Sequence, residues 1–144
     1  MAALKKKKTK KEKGGIVVRG KRKEAVARAA IRKGRGAVRV NRMDLGALSN
    51  RYVRTMIAEP LRLAPEVASA VDIDVSVYGG GSMGQAQAAR TAIARAIVEY
   101  SHDDSLRQKM IVRDKFLLAE DSRRVEPKKY KGPKARARFQ KSYR

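Results

Sequence analysis

The clearest pattern in the chain is a strict alternation in which Val71, Ile73, Val75 and Val77 are apolar and Asp72, Asp74, Ser76 and Tyr78 fall between them. A period of two puts the four aliphatic side chains on one face, so the segment predicts a half-buried β-strand with helices against its apolar side. Gly79-Gly80-Gly81-Ser82-Met83-Gly84-Gln85 follows, and apolar positions then recur at Ala86, Ala89, Ile93, Ala96, Ile97 and Tyr100. That spacing predicts a helix to about Tyr100 whose alanines permit close approach to a sheet. Ser82 and Gln85 stand at capping-box spacing at its start.

Upstream, small and β-branched residues dominate from Glu24 to Ile31, Lys33-Gly34-Arg35-Gly36 supplies turn chemistry, and Val38 and Val40 share a face within Ala37–Asn41. The two runs predict a β-hairpin. Arg19-Gly20-Lys21-Arg22-Lys23, just before it, either begins a strand or lies as a basic loop. Ser49 can cap a helix to about Ala58 with Tyr52, Val53, Met56 and Ile57 as its stripe, broken or restarted by Pro60. Asp103-Asp104 can start a last helix whose face is Leu106, Met110 and Ile111. The sum is an α+β fold, a two-layer α/β sandwich. Its mostly antiparallel or mixed sheet of about four strands is packed by helices on one face.

Charge changes this picture at the ends. The chain has 144 residues, 42% hydrophobic, which suits one domain with a modest core, yet 36 Lys and Arg against 14 Asp and Glu give a formal net charge of +22. Residues 1–23 carry eleven basic and one acidic residue, and residues 127–144 carry eight basic and none acidic. The expected organisation is a basic N-terminal arm over 1–15, a globular body over 16–126 and an extended basic C-terminal tail over 127–144. Tyr130, Phe139 and Tyr143 are interleaved with the cations of the tail. Exposed rings among lysines and arginines suit base stacking beside phosphate contact, so the expected partner is RNA. A free protein that coats RNA or DNA fits composition equally well.

Other chemistry finds little support. Cysteine is absent and His102 is the single histidine, placed at a helix end as a surface or capping residue. Ser101-His102-Asp103 are consecutive and cannot fold into a catalytic triad. Gly79, Gly81 and Gly84 satisfy a dinucleotide-binding spacing, but Ser101–Leu106 is a polar junction into a helix where that fold needs a second strand. Phosphoryl transfer would need metal-binding carboxylates and a positioned base, and no such set is visible. The simple alternatives are that the glycines form a tight strand-to-helix connection or that they also let an RNA backbone approach closely, and the two are compatible. No enzyme, no metal, no cofactor, no small-molecule substrate and no membrane partner are expected. Neither a membrane span nor a signal peptide is visible, and the expected location is cytosolic.

The chain resembles the ninth protein of the small ribosomal subunit in its archaeal and eukaryotic form. The likeness runs through Gly20-Lys21-Arg22-Lys23-Glu24-Ala25-Val26-Ala27-Arg28-Ala29, Val71–Val75, Gly79–Ala86 and Ala89–Ala96 to Gly132-Pro133-Lys134-Ala135-Arg136-Ala137-Arg138-Phe139-Gln140-Lys141-Ser142-Tyr143-Arg144. It implies a ribosomal protein S5 domain 2-like body on the subunit head, against 16S-type ribosomal RNA and neighbouring head proteins, with a tail that reaches peptidyl-site tRNA. On that resemblance Arg144 approaches anticodon-loop phosphates, with Tyr143 and Lys141 beside it; Tyr143 stands where the bacterial form has a lysine. The ribosomal RNA candidates are Lys21, Arg22, Lys23, Arg28, Gly79, Gly80, Gly81, Gln85, Arg90, Arg95, Arg123, Arg124, Lys128, Lys129, Lys134, Arg136 and Arg138.

Overall fold

The computed structural model describes residues 15–142. The N-terminal arm up to residue 14, and with it Tyr143 and Arg144, lie outside the described residues. Five strands, β1 (Ile16–Arg22), β2 (Ala25–Lys33), β3 (Val38–Val40), β4 (Met43–Asp44) and β5 (Val71–Tyr78), form one mixed sheet in the order β1-β2-β5-β3-β4. Four helices, α1 (Arg51–Leu63), α2 (Pro65–Ala70), α3 (Ser82–Ser101) and α4 (Asp104–Arg113), accompany it. The two-layer α+β architecture is as expected, with five strands rather than about four.

The expected hairpin is replaced by another. β1 pairs antiparallel with β2 through a turn at Lys23-Glu24, where Lys23 takes φ 53°, so Arg19–Arg22 lies in a strand. β3 does not pair with β2; β5 lies between them, antiparallel to β2 and parallel to β3. The cause is the loop after β2. Gly34 and Gly36 donate backbone N–H groups to Ala70 O and Val71 O, and the Asp72 carboxylate accepts from Arg35 N at 2.9 Å and Ala37 N at 3.0 Å. The chain is thereby led over the start of β5 to its far side, where alternation alone cannot distinguish one neighbour from another. Asn41 (φ 48°) then extends the β3–β5 ladder with its side chain, donating to Val77 O and accepting from Val77 N.

The core lies between the sheet and α3. Ala25, Ala27, Ala29 and Ile31 of β2 and Val71, Ile73, Val75 and Val77 of β5 are buried, as alternation requires. Small residues on α3 let it sit close to the strands: a Cβ on Gly20 of β1 would overlap Ala88 O and come 2.6 Å from Ala92 N. Burial of α3 extends beyond the expected stripe to Ala88, Thr91, Ala92 and Ala94, because α1 packs on its other side.

Four local expectations need correction. Asn50 rather than Ser49 caps α1, accepting from Tyr52 N at 2.9 Å. Pro60 sits buried inside α1, which ends at Leu63; after the cap residue Ala64, Pro65 restarts the chain as α2. Tyr52 and Ile111, expected on apolar stripes, are exposed. The capping box at α3 is not made: Gly81 is the cap residue, Ser82 is already helical, and Gln85 reaches back to Gly79 O at 3.1 Å. His102 ends α3 in the left-handed conformation (φ 50°) and donates its N–H to Val98 O.

Candidate nucleic-acid interface

The turn that joins β5 to α3 and the tip of the β1–β2 hairpin form one end of the body. Gly79 and Gly80 adopt φ 75° and 64°, and a Cβ on Gly79 would come 2.5 Å from Glu24 O, so glycine is required where the two turns abut. This sets the hairpin tip at Glu24 and Ala25, next to Lys23 in the chain, against Gly79 and Gly80, whose turn Gln85 also reaches, joining segments far apart in the chain. Close backbone packing thus accounts for Gly79 and Gly80, whereas a Cβ on Gly81 would meet nothing within 4 Å.

Several candidate arginines are engaged inside the protein. Arg22, on the helix side of β1, donates its Nε to Gln87 Oε1 at 2.7 Å and faces Asp121 at 3.0 Å. Asp121 also receives the Arg123 guanidinium, Nε at 2.9 Å and Nη2 at 2.6 Å. The hydrogen bonds from Arg123, with its guanidinium charge and that of Arg22, hold the Asp121 carboxyl far below its ordinary value. This cluster, with a bridge between Arg22 and Asp121, seats the segment after α4 on the edge of the sheet. Arg124 donates to the carbonyls of Asp121 and Arg123.

Arg90 and Arg95 act similarly from α3. The Arg90 guanidinium lies 2.7 Å from Glu59 on α1 and 2.7 Å from Asp114 after α4. The Glu59 approach is a charge contact, its angle falling outside hydrogen-bond geometry. Burial pushes the Asp114 carboxyl up, but the Phe116 N–H and Arg90 outweigh it and hold the group below its usual value. Arg95 donates to Leu118 O at 2.6 Å and Arg19 O at 2.9 Å and pairs with Glu120 at 3.1 Å.

The remaining candidates face water. Arg28 projects from the side of the sheet that no helix covers among the described residues, its guanidinium carbon 5.9 Å from the centre of the Tyr78 ring. In the tail, Lys128, Lys129, Lys134, Arg136, Arg138 and Lys141 are exposed, and so are Tyr130 and Phe139. The tail is not a single straight strand. Arg136 reaches back to Glu126 at 2.8 Å and Arg138 to Tyr130 O at 2.8 Å, closing a loop over buried Gly132. Exposed pairs of this kind hold little free energy, so the loop can open toward a stronger anion.

A profile described as ribosomal protein S9/S16 matches residues 20–144, which takes in the hairpin, the glycine turn and the whole tail. The chain belongs to the ribosomal protein S9/S16 family. It is 46% identical over 125 residues to the small ribosomal subunit protein uS9 of Methanothrix thermoacetophila, covering 87% of this chain and 95% of that protein. The family is a structural, non-enzymatic one, and the four-residue run Arg22–Ala25 that anchors the hairpin tip falls within the matched span. Among the described residues no helix is long and apolar enough to cross a membrane.

Sequence reasoning passed over two groups of residues that the structure brings forward. Asp121, Glu59, Asp114 and Glu120 anchor the half-buried arginines Arg22, Arg90 and Arg95, and nothing in their spacing reveals it. Arg19, Arg32, Arg39 and Tyr78 share the uncovered sheet face with Arg28. The outward position of Tyr78 in the alternating strand was the available signal.

Proposed function

We propose that this chain is a structural constituent of the small ribosomal subunit that binds 16S-type ribosomal RNA through its body and contacts peptidyl-site tRNA through its tail during translation. Membership of a ribosomal protein family supports the first part, and a place in the ribosome, in the cytoplasm, follows from it. The observation that carries the reading is the tail: eight cations over residues 127–144, the described ones exposed, of which Lys129 and Arg136 meet the Glu126 carboxylate.

Lys21, Lys23, Arg28, Arg124, Lys128, Lys129, Lys134, Arg136 and Arg138 take RNA phosphates, while the turn at Gly79–Gly81 and Gln85 admits a backbone closely. Arg22, Arg90, Arg95 and Arg123 serve the same interface chiefly by fixing the elements that carry it. Arg144 and Lys141, with Tyr143, reach the tRNA; placing charge among crowded phosphates lowers repulsion and releases counterions. If all eight tail cations met single-strand phosphates, log affinity would fall with log salt at a slope of roughly 5 to 6, at about 0.7 per contact.

Deletion of Lys141–Arg144 tests the finer claim. Subunits carrying the shortened protein should assemble and sediment normally but bind peptidyl-site tRNA more weakly, with a shallower salt dependence. Unchanged tRNA affinity would remove the tail from the mechanism, and a protein found mainly outside ribosomal particles would overturn the ribosomal assignment.

A further inference from the structure

The uncovered face of the sheet is built in rows. Because Ala25, Ala27, Ala29 and Ile31 point into the core, Val26, Arg28, Ala30 and Arg32 of β2 point away from it. Register places Arg19 of β1 and Ser76 of β5 on either side of Arg28, and Lys21 and Tyr78 on either side of Val26. Val17 and Asp74 flank Ala30 in the next row, and Arg39 of β3 pairs with Asp74.

Two features of this face need a partner. Arg19 and Arg28 stand directly opposite each other in an antiparallel ladder, an arrangement that repels unless an anion lies between the two charges. Arg19 has one carboxylate nearby, Glu120 at 3.8 Å, and Arg28 has none within 4 Å among the described residues. The acidic groups of the face are occupied: Asp74 by Arg32 at 3.0 Å, Asp44 by Arg39 at 3.4 Å, and Asp72 by the backbone N–H groups of Arg35 and Ala37. Beside the arginines, Tyr78 leaves 52% of its surface exposed although it sits in a central strand, and Val17 is 65% exposed.

We propose that this face is an RNA-contact surface separate from the tail, and that it takes an unpaired stretch of RNA with a phosphate between Arg19 and Arg28 and a base against the Tyr78 ring. It deepens, and rests on, the reading of the chain as an RNA-binding ribosomal protein. The chemistry selects single-stranded RNA over a duplex, because an aromatic platform can stack only on a base whose face is free. It selects RNA over an apolar protein surface because the exposed aliphatic groups are small and separated by guanidinium groups.

The test uses the full-length chain with the eight Lys and Arg residues of 127–144 changed to glutamine, so that the tail does not mask the body. Fluorescence anisotropy measures its affinity for a short single-stranded oligouridine and for an RNA duplex of equal length. Tyr78→Leu should weaken single-strand binding roughly 5- to 150-fold, the range of one base–aromatic stack, and leave duplex binding unchanged, while Tyr78→Phe restores it. Arg19→Gln with Arg28→Gln should lower the slope of log affinity on log salt by about 1.4. Parental affinity and slope in both variants would overturn the proposal, and equal losses on single strand and duplex would overturn its preference for unpaired RNA. Particles that lose a neighbouring protein, with oligouridine binding intact, would assign the face to a protein instead. The broader reading fails separately, when the unmodified chain shows no salt-dependent RNA binding and does not enter small subunits.

Discussion

Replacing Arg90 by alanine separates a strut from a contact. The side chain is 14% exposed and ties α3 to Glu59 of α1 and to Asp114 after α4, each at 2.7 Å. Its loss leaves two carboxylates of intermediate exposure, 27% and 30%, without their main counter-charge. Some compensation remains, since Arg113 lies 3.4 Å from Glu59 and the Phe116 N–H donates to Asp114 at 2.9 Å. Stripping one partner from a fully buried pair costs roughly 3 to 5 kcal/mol, and from an exposed pair no more than about 1 kcal/mol. Intermediate exposure and two pairs together place Arg90→Ala at about 2 to 3 kcal/mol, or roughly 10 °C in Tm for a domain of this size. Thermal unfolding followed by far-ultraviolet circular dichroism measures that loss. The same protein, assayed for RNA binding at a temperature where it is folded, should keep the parental salt dependence, because a residue that does not meet a phosphate contributes nothing to the slope. A Tm close to the parent's together with a slope lowered by about 0.7 would make Arg90 a phosphate contact and refute the reasoning.

Further tests bear on the frame that holds the interface. Gly20→Ala forces a Cβ against the backbone of α3 at Ala88 and Ala92, where no flexible side chain can yield, and should cost about 3 kcal/mol in urea unfolding. Undiminished stability there would contradict the close strand–helix approach. Asn41→Ala removes both side-chain bonds to Val77 and should cost about 1 to 2 kcal/mol, with no change counting against its role in the ladder. Asp121, Asp114, Asp72 and Asp103 all titrate below 3.8 when folded, so the folded state binds fewer protons than the unfolded chain. Stability is therefore complete above that value and is lost as pH falls through it and lower. In Asp121→Asn the decline with acid should be shallower, and an unchanged pH dependence would show that the Arg22–Asp121–Arg123 cluster does not hold the edge of the sheet.

Local periodicity was enough to find β5 with the residues it buries and to find α3 with part of its buried face, because side-chain direction follows from the repeat of a strand or helix, whereas the burial of Ala88, Ala92 and Ala94 depends on what packs on the helix's other side. Charge segregation set residues 127–144 apart in composition, and the ordered run of motifs identified the family. Pairing partners were beyond reach: β2 and β3 look like a hairpin in sequence, and only the Asp72 knot with Gly34 and Gly36 sends the chain across β5. The roles of the arginines were hidden for the same reason. Arg28 and Arg90 are the same residue type in the sequence, but one stands over Tyr78 on an open sheet and the other lies between Glu59 and Asp114. Composition counts charges, whereas the partners that neutralise them come from distant segments and exist only once the chain has folded.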